Sequence, residues 1–248
     1  MKVLYNLCLA VLMVGLLTAC ELDNLEGPDS GLTGSIIDSE TNRLVPQDIL
    51  EGTQIEIWEH GWDPVTPQRL EIKNDGTYAD LRLFSNTYDV IPVNTNFHNN
   101  ATVTIDTIQV EINGLTELDF NVLPYVRIVD LNISKVGNKA IASFRLEQPL
   151  DSVYLNADDV DKTAVVIKEV GLYAHFDPHV GVNMNLAKNT TSINDVIRTG
   201  ENDEYQLEFD PAKDSDFLAG GKVFLRVGAL STMPAARANY GSTIEIDF

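Results

Sequence analysis

The segment Trp58-Glu59-His60-Gly61-Trp62-Asp63 concentrates residue types that bind sugars. A pyranose stacks its C–H face on an aromatic ring, while carboxylate and imidazole groups at the rim orient its hydroxyls. Gln54-Ile-Glu-Ile-Trp58 alternates with period two, so if Ile55 and Ile57 face a core, Trp58 faces outward. Trp62 follows in a Gly-Asp-Pro loop. Trp58, Glu59, His60, Trp62 and Asp63 are therefore expected to form a sugar platform at one sheet end. The alternative is that Trp62 caps the sandwich core or packs against a second domain, because most tryptophans are largely buried. Tyr173, Phe176 and Tyr240 are weaker candidates and are expected to serve the core of the second domain.

Covalent and acid–base chemistry finds no comparable motif. The histidines are His60, His98, His175 and His179, and none lies in a Gly-x-Ser-x-Gly or similar setting. A glycosidase needs two carboxylates at a fixed separation in a cleft. With 37 Asp and Glu in the chain, carboxylate pairs are unavoidable and by themselves carry no meaning. No catalytic residue is assigned, and no enzyme is expected. His175-Phe-Asp177-Pro-His179 would converge on zinc if it lay on a strand. Pro178 opposes a continuous strand, so the segment is expected to be a loop after a strand ending at Ala174. Asn156 to Asp161 is rich in hard oxygen ligands for calcium but lacks the EF-hand glycine and distal glutamate. It is expected to be an acidic inter-strand loop. No metal site and no cofactor are expected.

Cysteine use bears on location. The chain has Cys8 and Cys20 only. Met1-Lys2, an apolar run to Leu17, and Thr18-Ala19 before Cys20 describe a secretory signal. With Cys20 at the junction, the segment resembles a bacterial lipobox, which implies acylation of Cys20 as the new N-terminus. The alternative, a core cysteine near a membrane span, meets a run too short and too interrupted for about 20 apolar residues. Residues 1–19 are thus expected to be a lipoprotein signal peptide and residues 20–31 a lipid-anchored polar tether. Glu21, Asp23 and Glu26 resemble the acidic export tag of Bacteroidetes surface lipoproteins, and an ordinary acidic linker explains them as well. The expected location is the outer membrane, lipid-anchored and exposed at the cell surface.

The elements that must position these residues read as β throughout. The net charge is −20 and no basic cluster occurs, which excludes nucleic acid as a partner. Short alternating stretches are predicted at 33–37, 54–58, 77–78, 81–84, 88–91, 103–105, 108–112 and 118–122. Asn74-Asp75-Gly76 is a tight-turn signal. A second set is predicted at 127–133, 139–146, 165–174, 204–209, 222–229 and 242–248. One helix, weak in propensity, is predicted at Thr191 to Thr199. The fold class is all-β with two β-sandwich domains, at residues 32–124 and 125–248, the second immunoglobulin- or fibronectin-like.

The first domain resembles carboxypeptidase-regulatory or transthyretin-like modules through Gly34-x-Ile36-x-Asp38, Asp75-Gly76-x-Tyr78 and Tyr88-x-Val90. Such modules are not catalytic. The chain as a whole resembles a Bacteroidetes lipoprotein family of unknown function encoded beside starch-utilisation-type (SusC/SusD-like) uptake systems. The matches run from Asp23 to Tyr240 and include Gly52-Thr53-x-Ile55, Val122-x-Pro124-Tyr125-x-Arg127-Ile128, Arg226-Val227-Gly228-Ala229 and Asn239-Tyr240. The resemblance implies a cell-surface accessory in glycan capture, with glycan and the SusC/SusD-like transporter as partners. It carries no functional residue. A structural spacer or assembly subunit without its own ligand is the alternative.

Overall fold

The computed structural model describes residues 26–98, 107–149, 165–195, 197 and 204–248. The expected signal peptide, Cys20, the strand expected at 103–105 and the segment from Asn156 to Asp161 lie outside the described residues. The fold is all-β. Strands β1 (Ser30–Asp38), β2 (Gln54–Glu59), β3 (Gln68–Glu71), β4 (Thr77–Leu83), β5 (Asn86–Val93), β6 (Phe97–His98), β7 (Ile108–Ile112), β8 (Leu115–Glu117) and β9 (Phe120–Pro124) build the first sandwich. One sheet runs β4-β1-β9-β6, with β8 also on β1, and the other runs β3-β2-β5-β7. Their facing side chains close one core: Leu32, Ile36, Tyr78 and Val122 from the first sheet, Ile55, Ile57, Tyr88 and Val90 from the second. The strict alternation of Ile55 and Ile57 with polar neighbours is what commits β2 to that face.

The second sandwich comprises β10 (Arg127–Val136), β11 (Lys139–Glu147), β12 (Ile167–His175), β13 (Ala187–Asp195), β14 (Glu204–Phe209), β15 (Lys222–Ser231), β16 (Asn239–Tyr240) and β17 (Ile244–Asp247). Its sheets are β10-β11-β14 and β13-β12-β15-β16, with β17 also on β15. Phe144, Leu207 and Phe209 meet Val170, Leu172, Leu225 and Val227 in a separate core. The helix expected at Thr191 to Thr199 is not formed at 191–195: those residues are strand, paired antiparallel with β12 from Thr191↔Val170 onward. Threonine and isoleucine favour a pleated edge, and the pairing supplies the hydrogen bonds that an isolated weak helix could not secure. The connection after β14 contains two 3₁₀ turns, Pro211–Lys213 and Ser215–Phe217, capped by Asp210 and Asp214.

The two cores meet across a polar junction. Arg226, 2% exposed, donates to main-chain oxygens of Gln47 (2.9 Å), Gly241 (3.1 Å), Val180 and Asn74 (both 3.4 Å). Asn96 donates to Ala238 O at 3.1 Å, and Asn239 donates to Asn96 O at 2.8 Å. Arg127 binds Asp38 at 2.5 Å, Glu40 at 2.7 Å and Glu147 at 2.8 Å. Burial disfavours the Asp38 carboxylate, but the Arg127 guanidinium and the Glu40 amide outweigh it and hold the carboxyl below its usual range.

Candidate functional site

The outer face of β2 and β5 carries the candidate site. Ile55 and Ile57 are fully buried, so strand parity turns Trp58 outward, where it is half-buried. The register sets Trp58 opposite Asp89 on β5, and Asp89 opposite Gln109 on β7. At the end of β2 the chain turns through Gly61, whose φ of 96° an L side chain would strain. That turn brings His60 Nε2 to 3.0 Å from Asp89 Oδ2. Gln109 Nε2 reaches the other carboxylate oxygen at 3.5 Å. Trp58, His60, Gly61, Val65, Asp89 and Thr107 line an open depression of about 470 Å³. An indole beside an imidazole–carboxylate pair offers an apolar stacking surface with donors and acceptors at its rim.

The structure thus brings together Trp58 and His60 of the expected platform. Glu59 lies on the other face of β2, opposite Tyr88, and accepts from Asn86 Nδ2 at 3.1 Å. Its proximity shows in Tyr88, whose hydroxyl is pushed up to about 12 by burial and then by the Glu59 carboxylate. Trp62 is 64% exposed, so it neither caps the core nor packs against the second sandwich, and it does not line the depression. Asp63 is exposed beside it and likewise stands outside the depression. Asp89, Val65 and Thr107 were not legible as site residues in the sequence. Only the pairing of β2 with β5 places Asp89 beside Trp58. The outward parity of Asp89, between buried Tyr88 and Val90, was the available signal.

The other candidates fall elsewhere. His175 ends β12 and its Nδ1 accepts from the Asp177 amide at 2.8 Å, while Asp177 Oδ1 lies 2.7 Å from His179 Nδ1. The segment beyond His175 is a loop closed on itself. Among the described residues no cluster of three or more His, Cys, Asp or Glu could hold a metal ion. Tyr173 and Tyr240 are buried, and Phe176 packs on Phe217 at 4.8 Å between ring centroids. Among the described residues no helix is long and apolar enough to cross a membrane.

Residues 30–123 match the family model described as the N-terminal domain of a protein of unknown function, DUF3823. No curated protein matches the chain. A Bacteroides uniformis structure named a "putative carbohydrate binding protein" is 30% identical, with a TM-score of 0.69. That match covers 90% of this chain and all of the other. A DUF3823 protein from Parabacteroides merdae is 20% identical over 89% of this chain and all of its own, with a TM-score of 0.68. One from Bacteroides ovatus is 20% identical over 89% of this chain and 99% of its own, with a TM-score of 0.66. The match of the N-terminal sandwich to the family model, and the full-length likeness at 30% identity, place this chain in the DUF3823 family.

Proposed function

We propose that this protein is a non-catalytic, lipid-anchored surface accessory that binds carbohydrate on the Trp58 face and serves a glycan-uptake assembly of the SusC/SusD type. One observation carries the sugar reading: Trp58 is turned outward beside the His60–Asp89 pair in an open depression. The carbohydrate-binding name given to the 30%-identical Bacteroides uniformis relative supports the same ligand class. The lipobox-like Leu17-Thr18-Ala19-Cys20 supports anchoring at Cys20. Affinity electrophoresis of the purified chain through gels cast with neutral and acidic polysaccharides tests the sugar reading. Retardation by at least one polysaccharide, abolished by Trp58→Ala, is expected. Equal mobility of parent and variant in every gel would remove it.

A second reading has its own support. The junction around Arg226 fixes two sandwiches through buried hydrogen bonds, as a spacer or assembly subunit requires. Co-purification of the neighbouring transporter at the same yield with parent and Trp58→Ala chains, together with no polysaccharide retention, would favour it.

A further inference from the structure

We propose that the end of the first sandwich at which the tether joins the fold rests in the headgroup region of a lipid bilayer, through Trp62, Leu81, Phe84 and Leu115. These side chains are 64%, 65%, 47% and 71% exposed, although neighbouring Leu83, Tyr88 and Ile112 fill the core. Hydrogen bonds gather them at one end. Asp29, the last tether residue before β1, accepts from the Ser85 amide at 3.0 Å, immediately after Phe84. Ser30 Oγ accepts from the Gly114 amide at 2.9 Å, immediately before Leu115. Asn86 Nδ2 donates to His60 O at 3.0 Å, two residues before Trp62. Gly31 completes the surface: it pairs with Leu115, and Leu81 Cδ2 lies 3.2 Å from where a Gly31 Cβ would stand. Two leucines therefore flank a position that has no side chain.

The occupant follows from where the chain leads. Cys20 precedes Ser30 by ten residues, and a fully extended backbone spans at most about 35 Å over that length. An acyl anchor at Cys20 therefore keeps this end within about 35 Å of the bilayer, a reach that favours contact by this end over the second sandwich. The surface rests on that anchor reading. Indole and phenyl rings with leucines suit the boundary between headgroups and acyl chains, where an apolar face buries only a few ångströms deep. A net charge of −20 gives no attraction to anionic lipid, so the contact is apolar and forms on zwitterionic membranes. The Trp58 depression lies on the outer face of β2 and β5, beside this end.

Tryptophan quenching by brominated acyl chains tests the contact. The full lipidated chain is reconstituted in phosphatidylcholine vesicles with or without bromine, as Trp58→Phe (leaving Trp62) and as Trp62→Phe (leaving Trp58). Bromine is expected to reduce Trp62 emission at least twofold and to leave Trp58 emission unchanged. Adding L81S, F84S and L115S to the Trp58→Phe chain is expected to restore most of the emission. A chain that floats with the vesicles and carries the acyl mass on Cys20, yet shows no quenching of Trp62, overturns the contact and leaves the anchor standing. A chain without acyl mass that fails to float overturns both.

Discussion

Tyr240 donates its hydroxyl to Asp48 Oδ2 at 2.8 Å across the junction of the two sandwiches, although the residues lie 192 positions apart in the chain. The same ring lies 4.1 Å from the Arg226 guanidinium. Asp48 also accepts from the Asn183 amide at 3.3 Å. The position a Gly181 Cβ would occupy is 2.6 Å from that carboxylate oxygen, so any larger residue there would displace the contact.

The junction should unfold with the whole. Burial lowers Arg226 to about 10, a cost that its hydrogen bonds to main-chain carbonyls and its ring contact offset. Arg226→Met keeps the stem but leaves Gln47 O and Gly241 O without their donors. Loss of two buried bonds outweighs the relieved desolvation, and a net loss of about 2 kcal/mol is expected. Calorimetry should show one transition for the parent and two for the variant, as each core melts alone. A single transition at the parent temperature would mean that the coupling of the two cores does not depend on Arg226.

The Arg127 cluster makes a larger prediction. Asp38 is 4% exposed, and Arg127→Met would leave its carboxylate buried without a counter-ion. A loss on the order of 3–5 kcal/mol is expected, because removing one partner of a buried pair leaves the other uncompensated. Asp38→Asn in the Arg127→Met background should recover part of it. Urea unfolding of the four chains of this cycle measures both effects. Additive losses would show that the pair contributes no coupling.

Much of the first sandwich was legible because its motif residues do local jobs. Gly34 is required because a Cβ there would stand 1.9 Å from Leu118 O, beside the Tyr78 hydroxyl that donates to that oxygen. Ile36 fills the core, and Asp75 accepts from the Thr77 amide at 3.0 Å to shape the turn. Such roles depend on neighbours a few positions away, or on strand parity. The junction was not legible. Arg226-Val227-Gly228-Ala229 and Asn239-Tyr240 were visible only as family-like strings, because their partners Asp48, Gln47 and Asn96 are set by the docking of the two sandwiches. Asp89 escaped for the same reason on a smaller scale: its place beside Trp58 is a property of pairing, not of the stretch that contains it.

Acid stability should depend on His98. Burial lowers its imidazole to about 4, and its ring meets Tyr125 edge-on at 4.6 Å. Between pH 6.5 and 4 the unfolded chain binds this proton and the folded chain does not. The contribution is therefore fully present above pH 6.5 and is lost as pH falls toward 4. His98→Phe should flatten that limb of the stability curve by about 3 kcal/mol. Denaturant midpoints measured from pH 7 to pH 4 check the slope, and parallel curves for parent and variant would contradict it.

The sugar face separates the two tryptophans. Trp58 lines the depression and is the stacking surface of the proposed sugar site, so on that proposal Trp58→Ala should weaken glycan binding at least tenfold, equivalent to about 1.4 kcal/mol. Asp89→Asn preserves shape but removes the charge that holds His60 at 3.0 Å, and a loss of about threefold is expected, from an exposed pair worth less than about 1 kcal/mol. Trp62→Ala, outside the depression, should change solution affinity by less than about twofold, because no stacking surface is lost. Isothermal titration with the polysaccharide that retards the parent in gels measures all three. If Trp62→Ala abolishes binding while Trp58→Ala does not, the ligand sits on the loop beyond Gly61, and the face of β2 and β5 is only its support.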